Sequence, residues 1–309
     1  MCCLFGLIDY AHRLSARQKT RLLEPLAAAC EARGTDATGI AYNSGGKLRI
    51  YKRPVPARQL PLAIPRDAHV ILGHTRMTTQ GNALYNRNNH PFPGHVPGNR
   101  FALAHNGVLC NDKTLRTARH LPATEIETDS YVAVQLIEQQ KALTPDSLRC
   151  MAESVEGSFT FTVLDQRDNL YLVKGDNPMC LYHYPHLGFY LYASTKPILE
   201  QGLRGTWLRR ERAVEVPLSA GEILHIAPDG SLQLDSFQMP EPLFSLWGGP
   251  SRYWHSPTRT RRPSRQNAYV EDLKHLASVF GYTPEDVEEF LTDGFTPEEI
   301  EEVFYHGEL

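Results

Sequence analysis

Apolar residues open the chain almost without a break, from Cys2 and Cys3 through Leu4, Phe5, Leu7 and Ile8, a pattern that predicts a strand buried on both faces. Between 15 and 32, Leu22, Leu23, Leu26, Ala27 and Cys30 recur at helical spacing, and Gly34 is placed to stop that helix. Apolar segments at 40–42 and 48–51 flank Asn43-Ser44-Gly45-Gly46, which has the turn chemistry of a hairpin. Two further apolar runs, 69–74 and 101–105, each end in a polar cluster, and the Asn-, Gly- and Pro-rich stretch 81–99 between them reads as loop. Helices are predicted over 130–140 and 145–155. Strands follow at 158–164, 170–173, 180–184 and 189–193, with a last hairpin of 223–226 and 232–237 around Asp229-Gly230. Helices cluster instead of alternating with strands, so the pattern predicts an α+β fold of antiparallel sheets with helical cover.

The pattern changes near residue 240. Residues 248–267 are rich in Gly, Pro, Ser, Thr and Arg and read as a basic linker. Over 268–306 three short helical patterns follow, the first with a stripe of Tyr269, Leu273, Leu276, Ala277 and Phe280. Thr283-Pro284 and Thr296-Pro297 start the other two, Glu299 completing a capping box with Thr296. The expected organisation is a main domain over 1–239, a linker over 240–267 and a small helical module over 268–309. That module has little core of its own and is suited to docking on a partner or on the main domain.

Composition narrows the classes. At 41% hydrophobic and 22% charged residues the 309-residue chain is an ordinary globular one, and no stretch approaches the ~18 apolar residues of a membrane span. No secretory signal is recognisable, so a cytoplasmic location is expected. The six cysteines, at 2, 3, 30, 110, 150 and 180, lack CxxC or Cys/His ligand spacing, so free thiols are expected rather than a metal site or disulfides. A net charge of −3 gives no electrostatic case for nucleic acid binding.

Cys2 carries the first chemical suggestion. Removal of Met1 places a thiol and a free α-amine on one residue, and that amine, titrating near about 7.7–8.0, can take the proton of a thiol near about 8.5. Position alone fits a small buried hydrophobe equally well. Four polar clusters lie downstream: Gly73-His74-Thr75-Arg76 with Thr79 and Gly81, Asn89-His90-Pro91-Phe92, His105-Asn106-Gly107, and Glu127-Thr128-Asp129-Ser130. With Cys2 this ordered set resembles the glutaminase domain of the class II glutamine amidotransferases, a branch of the N-terminal nucleophile hydrolases whose opening Met-Cys-Gly-Ile-Phe-Gly compares with Met1-Cys2-Cys3-Leu4-Phe5-Gly6. Arg33-Gly34-Thr35-Asp36 looks like that family's Arg-Gly-x-Asp segment, Gly157-Ser158-Phe159 like its glycine-led strand, and the resemblance covers about 1–237.

The resemblance implies a four-layer αββα sandwich, no metal and no cofactor. It also implies a γ-glutamyl thioester on Cys2, an oxyanion hole made by the Asn106 side chain and the Gly107 N–H, and a glutamine head group held by Arg76 and Asp129 with Thr79 nearby. The chemistry is consistent with those types: glutamine's zwitterion asks for a cation at its carboxylate and an anion at its ammonium, and an arginine fork suits the former. His74, His90 and His105 are read as structural, because the family's base is the terminal amine. Cys3, Met77 and Gln80 depart from the usual Gly, Trp and His, the first at the strand, the others in the pocket wall. About 70 residues remain beyond the resemblance, fewer than a catalytic domain usually needs, so ammonia is expected to pass to a separate synthetase or ligase. Alternatives are a stand-alone hydrolase of γ-glutamyl compounds and a non-catalytic scaffold with an inactivated glutaminase fold.

Overall fold

The apolar opening folds as β1 (Cys3–Ile8), in which every residue is buried. Strand parity sorts its side chains: Cys3, Phe5 and Leu7 enter one apolar core, Leu4 and Ile8 another. The structure, a computed structural model, describes residues 2–239 and, beyond them, 270, 273–274, 277, 282–293, 295–297, 300 and 303. The chain forms two units, Met1–Pro240 and Glu241–Leu309.

In the first unit β1 is followed by α1 (Ala16–Ala29), β2 (Ala37–Ser44), β3 (Lys47–Arg53) and β4 (Val70–Arg76). Ser15 caps α1 in a reciprocal box with Gln18, which satisfies amides the helix itself leaves unpaired. Next come β5 (Phe92–Val96), β6 (Asn99–Leu109), α2 (Asp112–Ala118), α3 (Tyr131–Gln139), α4 (Pro145–Ser154), β7 (Gly157–Asp165) and β8 (Leu170–Lys174). The unit ends with β9 (Cys180–Tyr184), β10 (Phe189–Ala193), α5 (Lys196–Leu203), β11 (Val214–Val216), β12 (Glu222–Ile226) and β13 (Leu232–Ser236).

The strands form two sheets, ordered β11-β9-β10-β1-β4-β2-β3 and β13-β12-β8-β7-β6-β5, and the pairs are antiparallel. Three cores separate four layers. Leu22, Leu26 and Leu199 of α1 and α5 pack with Phe5 and Ile71 on the first sheet; Leu4, Leu72, Ala102 and Leu172 fill the space between the sheets; Val132, Ile137 and Leu148 of α3 and α4 pack with Leu103 and Phe161 on the second. The result is an αββα sandwich. No helix among the described residues is long and apolar enough to cross a membrane.

Register brings functional ends together. Because β1 pairs antiparallel with β4, with Cys3 opposite Thr75, the start of β1 lies beside the end of β4. Pairing of Phe5 with Ala193 brings the end of β10 to the same place.

Four elements depart from the sequence pattern. The stretch 81–99, read as loop, contains β5, whose Pro93 and Gly94 disguise a strand that pairs on one side only, with β6. The helices α2 and α5 and the three-residue β11 had no prediction; the buried apolar residue of α2 is Leu115 alone.

In the second unit a helix, α6 (Pro284–Thr292), starts at Thr283, whose side chain and that of Asp286 form a capping box. Leu273, Ala277, Val287 and Ile300 form a small buried cluster with Tyr282, Phe290 and Phe295 against it. The predicted linker 240–267, and Tyr269, Leu276, Phe280 and Glu299 of the helical patterns, lie outside the described residues.

Candidate functional site

The chain's start, the end of β4, the end of β6 and the start of α3 supply the residues singled out by sequence. Cys2, 8% exposed, lies just before β1, its carbonyl oxygen held by Arg33 Nε at 3.1 Å and its Sγ donating to the Met77 carbonyl at 3.5 Å. Burial pushes the Cys2 thiol above its ordinary range; the charge of Arg76 opposes that rise and that of Asp129 adds to it. Cys3 points the other way, into the core under α1 with Cys30, so a side chain replaces the family's glycine inside a regular strand without entering the site.

Arg76 is 2% exposed. Its guanidinium donates to Asn89 Oδ1 (2.6 Å), Gln80 O (2.5 Å) and Gly81 O (3.1 Å), all neutral oxygens, and among the described residues no carboxylate forms an ion pair with it. Burial lowers its pKa, while Cys2, Asp36, Asp129 and Glu127 act in the opposite sense. Asp36 braces the chain just after it: its N–H donates to Arg76 O (2.9 Å) and its carboxylate accepts from Thr78 N (2.7 Å). Thr79 is exposed in the segment after β4 and makes no hydrogen bond among the described residues. Gln80 Nε2 donates to Glu127 O, and Asn82 N and Asn88 Nδ2 donate to Glu127 Oε2 at 3.1 and 2.8 Å, so the segment after Arg76 is latched to the one before Asp129.

Asp129 sits at the start of α3, 3% exposed, yet its side chain does not cap that helix. Its Oδ2 accepts from Leu109 N at 2.6 Å and its Oδ1 from Ser130 Oγ at 3.2 Å, while Ser130 Oγ is 2.8 Å from His105 Nδ1. One serine proton cannot serve both neighbours: given to Asp129, it requires His105 Nδ1 to carry the hydrogen that points at Ser130.

Asn106 is fully buried and shares strand parity with Ala102 and Ala104, so its side chain faces the other sheet. Its backbone oxygen accepts from Asn177 Nδ2 at 3.2 Å. Gly107 has φ +140°, and a Cβ there would lie 1.9 Å from the Ser158 carbonyl oxygen. Only glycine fits.

His74, His90 and His105 are buried behind these groups, with ring centroids 4.2 Å apart for His74 and His90 and 6.4 Å for His90 and His105. His74 Nε2–H donates to the His105 carbonyl across the sheets at 3.0 Å, and among the described residues neither ring nitrogen of His90 has a hydrogen-bond partner. Burial pulls His74 down to about 3 and His90 and His105 below their usual range, so all three are neutral near pH 7. Among the described residues no group of three or more His, Cys, Asp or Glu is arranged to hold a metal ion.

These imidazoles predict acid sensitivity. With folded pKa values below the unfolded value of about 6.5, the unfolded chain binds more protons; stability is full above about pH 6.5 and falls as pH drops toward about 3. His74 and His90, the two pulled far down, together reach a limiting slope of about 3 kcal/mol per pH unit, and His105 adds in the same sense. Urea midpoints measured from pH 7 to pH 4 should show it, and His90→Phe should lower the slope by about 1.4 kcal/mol per pH unit. An unchanged slope in that variant would mean that His90 titrates normally in the folded protein.

Two facing antiparallel sheets between helical layers, with a cysteine at the open end of the central strand, define the class of the main unit as the N-terminal nucleophile hydrolase fold. Residues 1–160 match the family model described as glutamine amidotransferases class-II. The chain belongs to that family. The glutamine–fructose-6-phosphate aminotransferase (isomerizing) of Staphylococcus epidermidis is 31% identical over 188 residues, covering 58% of this chain and 30% of that protein. Its counterpart in Staphylococcus aureus is 32% identical over 192 residues, 59% of this chain and again 30% of the relative. The chain thus matches under a third of the length of these curated relatives. Among solved structures, the glutamine phosphoribosylpyrophosphate amidotransferase of B. subtilis, complexed with ADP and GMP, aligns with TM-score 0.61 at 20% identity over 77% of this chain and 50% of that one. A structure described as the allosteric regulatory enzyme of purine biosynthesis aligns at 0.62 and 19%, over 77% and 49%. Both likenesses show the fold.

Sequence reasoning gave no role to Ser130, Asn89, Asn177 or Ser194. Asn89 and Ser130 belong to clusters the sequence singles out; Asn177 and Ser194 carry no local signal.

Proposed function

We propose that the protein releases ammonia from the side-chain amide of glutamine through a γ-glutamyl thioester on Cys2, for use by a separate acceptor enzyme. The observation that carries this reading is the pair of opposite charges around one thiol: a buried arginine whose described partners are all neutral oxygens, and a buried aspartate, both felt by Cys2. A zwitterionic head group supplies the complement to each, its carboxylate at Arg76 and its ammonium at Asp129. Thr79 contributes to the wall of that pocket.

Once Met1 is removed, the Cys2 α-amine takes the thiol proton as Sγ attacks the amide carbon. The developing oxyanion accepts from Asn106 Nδ2 and the Gly107 N–H, donors set in place before the reaction begins. Collapse breaks the C–N bond, and the proton held by the amine leaves with ammonia. Water then attacks the thioester, releasing glutamate and restoring the thiol. The acceptor is a partner synthetase or ligase, for which the helical module 268–309 supplies a docking element.

The test is to incubate the purified full chain with glutamine and measure ammonia and glutamate, while intact-mass analysis reads Met1 removal and labelling by a glutamine-like electrophile. Equimolar ammonia and glutamate, with the label on Cys2, are expected. A protein that retains Met1, or is unlabelled and inactive, overturns the proposal.

A further inference from the structure

We infer that Ser194 sets which end of the Asn106 carboxamide faces the substrate, a positioning role that rests on the functional reading above. Ser194 is fully buried just beyond β10. Its N–H donates to Leu4 O at 2.9 Å and its Oγ accepts from Leu4 N at 2.8 Å, so it is fastened to the first strand. Asn106 reaches it from the other sheet, with the amide nitrogen 3.4 Å from Ser194 Oγ.

That contact is informative because a carboxamide is nearly symmetric, and its two ends are assigned by their partners. With Nδ2 turned to Ser194, Asn106 Oδ1 is buried without a hydrogen bond among the described residues. Ser194 Oγ has one lone pair filled by Leu4 N–H, and its own proton has two candidate acceptors, the weak one at Cys3 Sγ and the stronger carboxamide oxygen of Asn106. Turning the amide over lets Ser194 O–H donate to Oδ1, which pairs the orphaned acceptor and moves both Nδ2 hydrogens to the side opposite the serine. Asn177 already fixes the Asn106 backbone through its carbonyl, leaving the side-chain amide as the group whose orientation is to be chosen. The serine makes that choice, and the freed Nδ2 is the donor an oxyanion requires.

A double-mutant cycle in the full chain tests this, with glutamine hydrolysis as the readout. Ser194→Ala should lower kcat about 10- to 100-fold with KM held within about threefold. Ser194→Cys, which keeps the shape but offers a weak S–H donor, should fall between, and it replaces the alanine variant should that one fail to fold. In an Asn106→Ala background the Ser194 substitution should cost no further kcat, whereas the drop in unfolding midpoint from the orphaned Leu4 N–H should persist. Unchanged kcat in the single variant, or an equal fold-loss in both backgrounds, overturns the positioning role alone. A wild-type protein without glutaminase activity overturns the functional reading, and this role with it.

Discussion

Replacing Cys2 with alanine is expected to reduce ammonia release from glutamine by a factor on the order of 10⁴ or more, because no other group described at the site can form the proposed thioester. The fold should survive. The side chain gives up one weak Sγ–H bond to Met77 O, while Arg33 still holds the residue by its carbonyl oxygen. The unfolding midpoint therefore serves as the control and should move little. Cys3→Ala makes the complementary comparison: that thiol faces the α1 layer beside Cys30, so the change should cost some stability and leave kcat nearly intact. If Cys2→Ala kept more than about 1% of wild-type kcat, the nucleophile would have to be sought elsewhere.

Gly107→Ala is expected to damage both stability and turnover. Its Cβ would fall 1.9 Å from Ser158 O and 2.8 Å from Asn177 Nδ2, at a φ of +140° that L residues rarely adopt. The obstruction is backbone of the neighbouring strand, so β6 must move away from β7 at the point where the proposed oxyanion donors are held. A loss of about 2–3 kcal/mol in unfolding free energy and about 10²- to 10³-fold in kcat should result. Gly46→Ala provides the comparison. It also has a positive φ, +68°, but nothing lies within 4 Å of its added carbon, so it should cost only about 1 kcal/mol and leave kcat unchanged. Denaturant titration and steady-state kinetics on both variants separate these outcomes. Wild-type kcat in Gly107→Ala would remove that backbone amide from the proposed mechanism.

The legible parts of the fold were those with strong local patterning. β1 and β6 announce themselves because burial on both faces demands continuous apolar runs, and α1 because Leu22, Leu23 and Leu26 recur on one face. β5 was hidden because a strand paired on one side can carry proline, which looks like a break to any reading of local pattern. α5 carried its own signal, a Thr195 cap followed by Pro197, but its few apolar positions gave little periodicity. At the candidate site, the residues nominated from sequence, Cys2, Arg76, Asn106-Gly107 and Asp129, were those that stand in compact motifs. Ser194 was not among them. It lies 190 residues from Leu4 and 88 from Asn106, and ladder pairing alone makes them neighbours.

The parity that turns Asn106 toward the other sheet also limits how the gene can change. Ala102, Ala104 and Asn106 occupy one face of β6 and Phe101, Leu103 and His105 the other, so inserting or deleting one codon within the strand exchanges the two sets. The alanines would then meet the helical layer, the phenylalanine the tight interval between the sheets, and the asparagine would turn its back on Ser194. Substitutions in this strand can be absorbed one at a time, whereas a change of length cannot; the open turns at Gly45-Gly46 and Gly98, where an added carbon meets nothing within 4 Å, are where length can vary.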